Sequence, residues 1–295
     1  MAKSYEELQF TDDFMFGKVM EDRELCRDVL ECLLQEPVGT LQDVQTEQSF
    51  QYTSDGKPIR LDVYTKDKKA TYDAEMQNLN HKRAKNLELP KRVRFYQSMI
   101  DVDFLSKGNS YRLLPEGKVL FLCTFDPFGL GLPQYTFENR CVQNLDLPLY
   151  DGTQKFFYNC TAPVNDLPEP LRALYEFIAM GKATNLLTKR IESAIEKARQ
   201  NEKWRSEYMK EWILFDDART EGFQAGLEQG LEQGISQAAE QEHKAREEER
   251  SKGILLFIQD KLEDGVDKDT ILRKLERLYS LSKEDAEQYF EKVNK

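Results

Sequence analysis

IRLDVYTKDKKATYDAEMQ, from Ile59 to Gln77, places two short strand-forming runs around a polar turn. Residues 59–65 and 70–77 are rich in β-branched and aromatic side chains, and the polar Lys66-Asp67-Lys68-Lys69 lies between them, so they read as two strands of a meander. Asp62 stands among apolar residues in the first of these strands. An unpaired charge buried in such a setting costs several kcal/mol unless it is paired, protonated or bound to metal. In the second strand Asp73, Glu75 and Gln77 alternate with apolar residues and share one face, with successive side chains about 6.6 Å apart. If the two strands are neighbours, Asp62 and Glu75 meet. Two carboxylates and an amide oxygen are hard ligands suited to Mg²⁺ or Mn²⁺. A metal held there is suited to phosphodiester hydrolysis.

Outward from this hairpin, residues 14–34 place apolar side chains close to a 3.6-residue period and predict one helix, with Thr11, Asp12 and Asp13 as capping candidates. Residues 45–52 predict a further strand. From residue 79 to about 102 the pattern is helical again, with a kink expected at Pro90 and a basic face. Residues 118–125 have the composition of a buried strand, and residues 135–142 and 155–162 read as two more. The expected fold class is α/β, a mixed β-sheet flanked by helices, followed by an α-helical C-terminal tail. The expected division is a catalytic domain over 1–165, a helical connection over 166–220, a Gly/Glu/Gln-rich segment over 221–250 and a helical hairpin over 251–295. Gly222, Gly226, Gly230 and Gly234 fall four apart in the third of these, which reads as a marginal helix, a coiled coil or a flexible linker.

Composition limits the function classes. The net charge of −11 opposes nucleic-acid binding by the chain as a whole, yet residues 78–112 carry eight Lys and Arg against three Asp and Glu. Lys82, Arg83, Lys85, Lys91, Arg92 and Arg94 lie on this basic stretch, close after Glu75, where they can hold a phosphate backbone. Five scattered cysteines without a CxxC pair, and only two histidines, point away from a disulfide framework and from a zinc site. No run of 18 apolar residues occurs and the first residues lack a secretory pattern, so a cytoplasmic location with no membrane partner is expected.

Four segments in this order, Phe10–Met20, Ile59–Val63, Tyr72–Gln77 and Lys91–Tyr96, resemble the recombination-promoting nuclease (Rpn) family of the PD-(D/E)XK nuclease superfamily, and the Gly-every-four tail is also similar. The resemblance covers roughly residues 8–290. It implies a restriction-endonuclease-like core and a metal-dependent DNA endonuclease linked to recombination, mobile elements or genome defence. It makes Asp62 and Glu75 the metal ligands, with Gln77 the third catalytic residue. Leu61 stands where the superfamily commonly has proline, and Gln77 where it commonly has lysine. An amide has no useful pKa for proton donation, so Gln77 is expected to orient water or the metal. Lys18 matches a recurrent basic position and is a candidate phosphate contact beside its reading as a helix-surface lysine; Glu21 and Glu24 are candidates for a further acid. The tail is expected to couple two copies into a homodimer. The alternative is a non-catalytic DNA-binding or protein-interaction module that keeps the nuclease fold. A scaffold acting only through its tail helix would leave the carboxylate pair unexplained.

Overall fold

The structure, a computed structural model, describes residues 3–50, 59–78, 88–106, 108 and 110–293. The chain divides into two compact units, Met1–Trp212 and Ile213–Lys295.

The first unit is built on a six-stranded mixed sheet in the order β1-β2-β3-β4-β8-β5. Its strands are β1 (Gln45–Phe50), β2 (Ile59–Lys66), β3 (Ala70–Gln77), β4 (Glu116–Cys123), β5 (Gln134–Phe137) and β8 (Thr153–Asn159), and β6 (Arg140–Cys141) and β7 (Asn144–Pro148) form a separate ribbon. β1, β2 and β3 are successive antiparallel neighbours, β3, β4 and β8 run parallel, and β5 closes the far edge antiparallel to β8. The crossover from β3 to β4 is the helix α3 (Leu89–Ser106), as a parallel pair requires.

Helices cover both faces of this sheet, which is why β3 and β4 read as nearly continuous buried runs. On one face α1 (Asp13–Met20), α2 (Arg23–Leu34), α4 (Glu169–Met180) and α5 (Leu186–Arg199) bury Met15, Phe16, Leu30, Leu174 and Ile191 against Val63, Ala74, Leu120 and Tyr158. On the other face α3 lays Val93, Tyr96 and Ile100 over Leu61, Val119, Phe121 and Phe157. Asp73, Glu75 and Gln77 are register partners of Val119, Phe121 and Cys123, so the polar side of β3 lies on the α3 face.

Three helical expectations are corrected. The helix expected over 14–34 is two helices, because Asp22 takes its carboxylate to the amides of Glu24 and Leu25 and starts α2 afresh. Pro90, expected to kink the helix begun at residue 79, stands in the first turn of α3, where its missing N–H is harmless; residues 79–87 lie outside the described residues. The helical connection expected over 166–220 is broken, since α5 ends at Arg199 and Asn201 caps a new helix through the amides of Lys203 and Trp204.

That new helix, α6 (Glu202–Glu263), includes the glycine-periodic segment, which is helical throughout. In the second unit its last turns pack with α7 (Lys268–Tyr279) and α8 (Lys283–Val293) around Ile254, Ile258, Ile271, Leu275 and Phe290. The terminal hairpin is therefore a three-helix cluster. Among the described residues, no helix is long and apolar enough to cross a membrane.

Candidate functional site

β2 and β3 pair regularly from Lys66 and Thr71 up to Val63 and Ala74, and there the ladder stops. Side chains continue it. The Glu75 Oε1 accepts from the Asp62 backbone N–H at 2.8 Å, and the Asp62 Oδ2 accepts from the Met76 N–H at 3.0 Å. Each carboxylate takes the place of a strand carbonyl on the opposite side, so the two acids are fixed face to face where the strands part. One oxygen of each, Asp62 Oδ1 and Glu75 Oε2, is left outside this reciprocal pair.

The irregularity extends across β2. Thr46 pairs with Val63 and Gln48 with Leu61, but Glu47 and Asp62 between them do not pair, and Glu47 adopts a left-handed φ of 55°. A non-glycine residue in that region carries a steric cost of about 1–2 kcal/mol. Ile59 and Leu61 pack on the α3 face, whereas Val63 packs on the opposite one, so strand alternation breaks at Asp62. The backbone is distorted on both sides of the acid, as happens where a strand re-aims a functional side chain.

The acids are crowded. Glu75 is 1% exposed and Asp73 is fully buried. Burial pushes the Glu75 carboxyl well above the usual range, and Asp73 adds to this, against the Asp62 N–H and Arg92. Burial does the same to Asp62, reinforced by Glu75 and Asp13 and opposed by the Met76 N–H and Arg60. Among the described residues, no donor reaches either oxygen of Asp73; its polar neighbour is the Glu75 carboxyl, and the two can bond only through a shared proton. Asp13 retains an exposed surface at the start of α1, yet protein crowding on its other sides raises its carboxyl too.

Arg92, on the first turns of α3, supplies a positive charge against this cluster. Its Nη1 donates to Gln77 Oε1 at 2.9 Å, and its Nη2 donates to the Tyr96 hydroxyl at 2.9 Å and approaches Glu75 Oε2 at 3.5 Å. The guanidinium lies over the rings of Tyr96 and Phe121 at 5.3 and 5.7 Å. Gln77 therefore turns its amide oxygen to Arg92 and gives its Nε2 hydrogen to the Met76 carbonyl.

The other sequence candidates distribute unevenly. Lys91 and Arg94 are exposed on α3. Lys18 is nearly buried, bonds Glu21 and Glu207 at 3.0 and 3.1 Å and lies over Phe14 and Trp204, so its charge joins α1 to the start of α6. Glu21 also accepts from Thr46 Oγ1, and Glu24 sits exposed in the first turn of α2. Asp13, not either of these, is the helix acid whose field reaches Asp62. Its signal in the sequence was the Asp12-Asp13 pair, read there only as a cap; Asp12 in fact makes no side-chain cap bond. Lys82, Arg83 and Lys85 lie outside the described residues.

Among the described residues, no three His, Cys, Asp or Glu side chains gather closely enough to form a metal cage. The donor set at the strand opening is two carboxylates with one oxygen each. This fits Mg²⁺ or Mn²⁺, which keep several waters and take one or two protein carboxylates. Burial and repulsion from neighbouring acids hold both carboxyls above the usual range, and a cation placed between them would offset that repulsion. No protein-family model, curated protein or solved structure matches the chain.

Proposed function

We propose that this chain is a divalent-metal-dependent DNA endonuclease with a restriction-endonuclease-like core, as its resemblance to the Rpn family implies. The observation that carries the reading is the reciprocal bonding of Asp62 and Glu75 across the opening of β2 and β3, which holds two crowded carboxylates in register. Asp62 and Glu75 hold Mg²⁺ or Mn²⁺. When bound, the metal supplies Lewis-acid polarisation of a phosphoryl oxygen and a water of lowered pKa. Asp13 and Asp73 strengthen the negative field that draws the cation in. Gln77 fixes Arg92 beside Glu75, and the exposed Lys91 and Arg94 on the same helix offer charge to the DNA backbone. Lys82, Arg83 and Lys85 extend that basic stretch, and Lys18 acts by holding α1 and its Asp13 in place.

The α6 surface supports the second half of the reading, a homodimer through the C-terminal helical region. Phe223, Leu227, Leu231 and Ile235 are all more than half exposed along it. A non-catalytic interaction module would use the same surface but have no need of the crowded acids, whose burial costs stability.

Incubating supercoiled plasmid with the purified protein and Mg²⁺ or Mn²⁺ tests the reading. Nicking or linearisation is expected with metal, and is expected to stop with EDTA and to fall at least about a hundredfold in Asp62→Ala and Glu75→Ala. Equal cleavage by the wild type and both variants, or none by the wild type in either metal, would remove the nuclease.

A further inference from the structure

Glu75 divides its two oxygens between different partners. Oε1 is fixed by the Asp62 N–H at 2.8 Å, and Oε2 faces the Arg92 guanidinium at 3.5 Å. A cation held by Asp62 and Glu75 would draw on this second oxygen, so metal and guanidinium would compete for the same lone pairs. Of the three hydrogen-bond partners of Arg92 among the described residues, Glu75 is the most distant, and the Gln77 and Tyr96 bonds at 2.9 Å do not depend on it. The Arg92 side chain is 38% exposed, whereas Glu75 beside it is 1% exposed. The guanidinium thus sits at the solvent end of the site, held by Gln77 and Tyr96 and supported on its face by Tyr96 and Phe121.

We propose that Arg92 is an exchangeable site cation: it stands against Glu75 Oε2 while the metal is absent, yields that oxygen when the metal binds, and then offers its freed N–H groups to the phosphate being cut. This rests on the nuclease reading above. A planar fork with five donors suits both stages, a carboxylate in the first and a phosphate oxygen in the second. It also accounts for Gln77, whose amide oxygen anchors Arg92 Nη1 and so keeps the guanidinium close after Glu75 is given up.

The exchange makes metal affinity and cleavage move in opposite directions. Mn²⁺ binding to the full chain without DNA is read from the loss of the free-ion electron paramagnetic resonance signal, for wild type, Arg92→Gln and Arg92→Lys. Arg92→Gln is expected to bind Mn²⁺ about tenfold more tightly than wild type, because a competing positive charge is gone. Plasmid cleavage at saturating Mn²⁺ is expected to fall about a hundredfold, the usual loss for one transition-state donor. Arg92→Lys keeps a cation but loses the fork, and is expected to lie between the two; it carries the test alone if a melting curve in EDTA shows Arg92→Gln unfolded. Unchanged or weaker Mn²⁺ binding in the folded variants would overturn the exchange while leaving the nuclease standing. Wild-type Mn²⁺ binding that survives Glu75→Gln undiminished would instead overturn the metal site, and the exchange with it.

Discussion

At the scale of single residues, the site combines groups that a stability criterion alone would not select. Asp73 is fully buried with no donor among the described residues, Glu47 holds a left-handed backbone, and the acids around Asp62 raise one another. Glu47 has a second consequence, in its contact with Glu211 on α6. Burial raises the Glu211 carboxyl to about 7, helped by its hydrogen bond to Glu47, the Glu47 charge and Glu207, and opposed by Arg60. Its ordinary value is 4.5, so between about pH 4.5 and 7 the folded chain holds a proton that the unfolded chain releases. Stability from this group is present below that window and is lost as pH rises through it. Glu211→Gln lacks the titration and can still donate to Glu47. Its melting temperature, relative to wild type, is expected to climb from pH 4.5 to 7 and to level off above, whereas a constant offset across pH would show that the two acids do not share a proton.

The Asp62 and Glu75 pair was legible because a carboxylate in an apolar strand and a polar alternation in the next are local patterns. Arg92 was legible as basic but not as a partner of Glu75 and Gln77, since residues 15 to 17 positions apart meet only after β3 and α3 have packed. Asp13 was missed for the same reason: a helix-start acid and a cap look alike until the direction of α1 is known.

At the scale of elements, strands were easier to read than helix ends. β2, β3 and β4 announced themselves through burial and alternation, but the break between α1 and α2 depends on one capping bond at Asp22, and that between α5 and α6 on another at Asn201. Periodicity does not resolve such breaks, because both helices around each one present apolar faces to the same core. The glycine-periodic part of α6 is helical although each glycine costs about 1 kcal/mol relative to alanine. A Cβ added at Gly226 or Gly230 meets no other atom within 4 Å. In the isolated chain the double variant Gly226→Ala, Gly230→Ala is therefore expected to raise helicity and the melting temperature of the second unit by circular dichroism. If a second copy approaches this face closely, sedimentation will show the same variant dissociating at concentrations where wild type is paired. Unchanged association would place the dimer contact elsewhere.

At the scale of the whole molecule, the first unit carries both cores of the sheet and all the acids discussed, and the second carries its own small core. The overall charge of −11 conceals the basic stretch over residues 78–112, so net charge alone does not describe a chain whose charges are segregated along its sequence. Crystals soaked in Mn²⁺ test, through the anomalous signal of the ion, whether Asp62 and Glu75 form a metal-binding catalytic pair. One strong peak is expected within coordinating distance of both carboxylates, absent from crystals of Glu75→Gln. A saturating soak with no peak at this pair, or a peak that survives the substitution unchanged, would contradict that assignment.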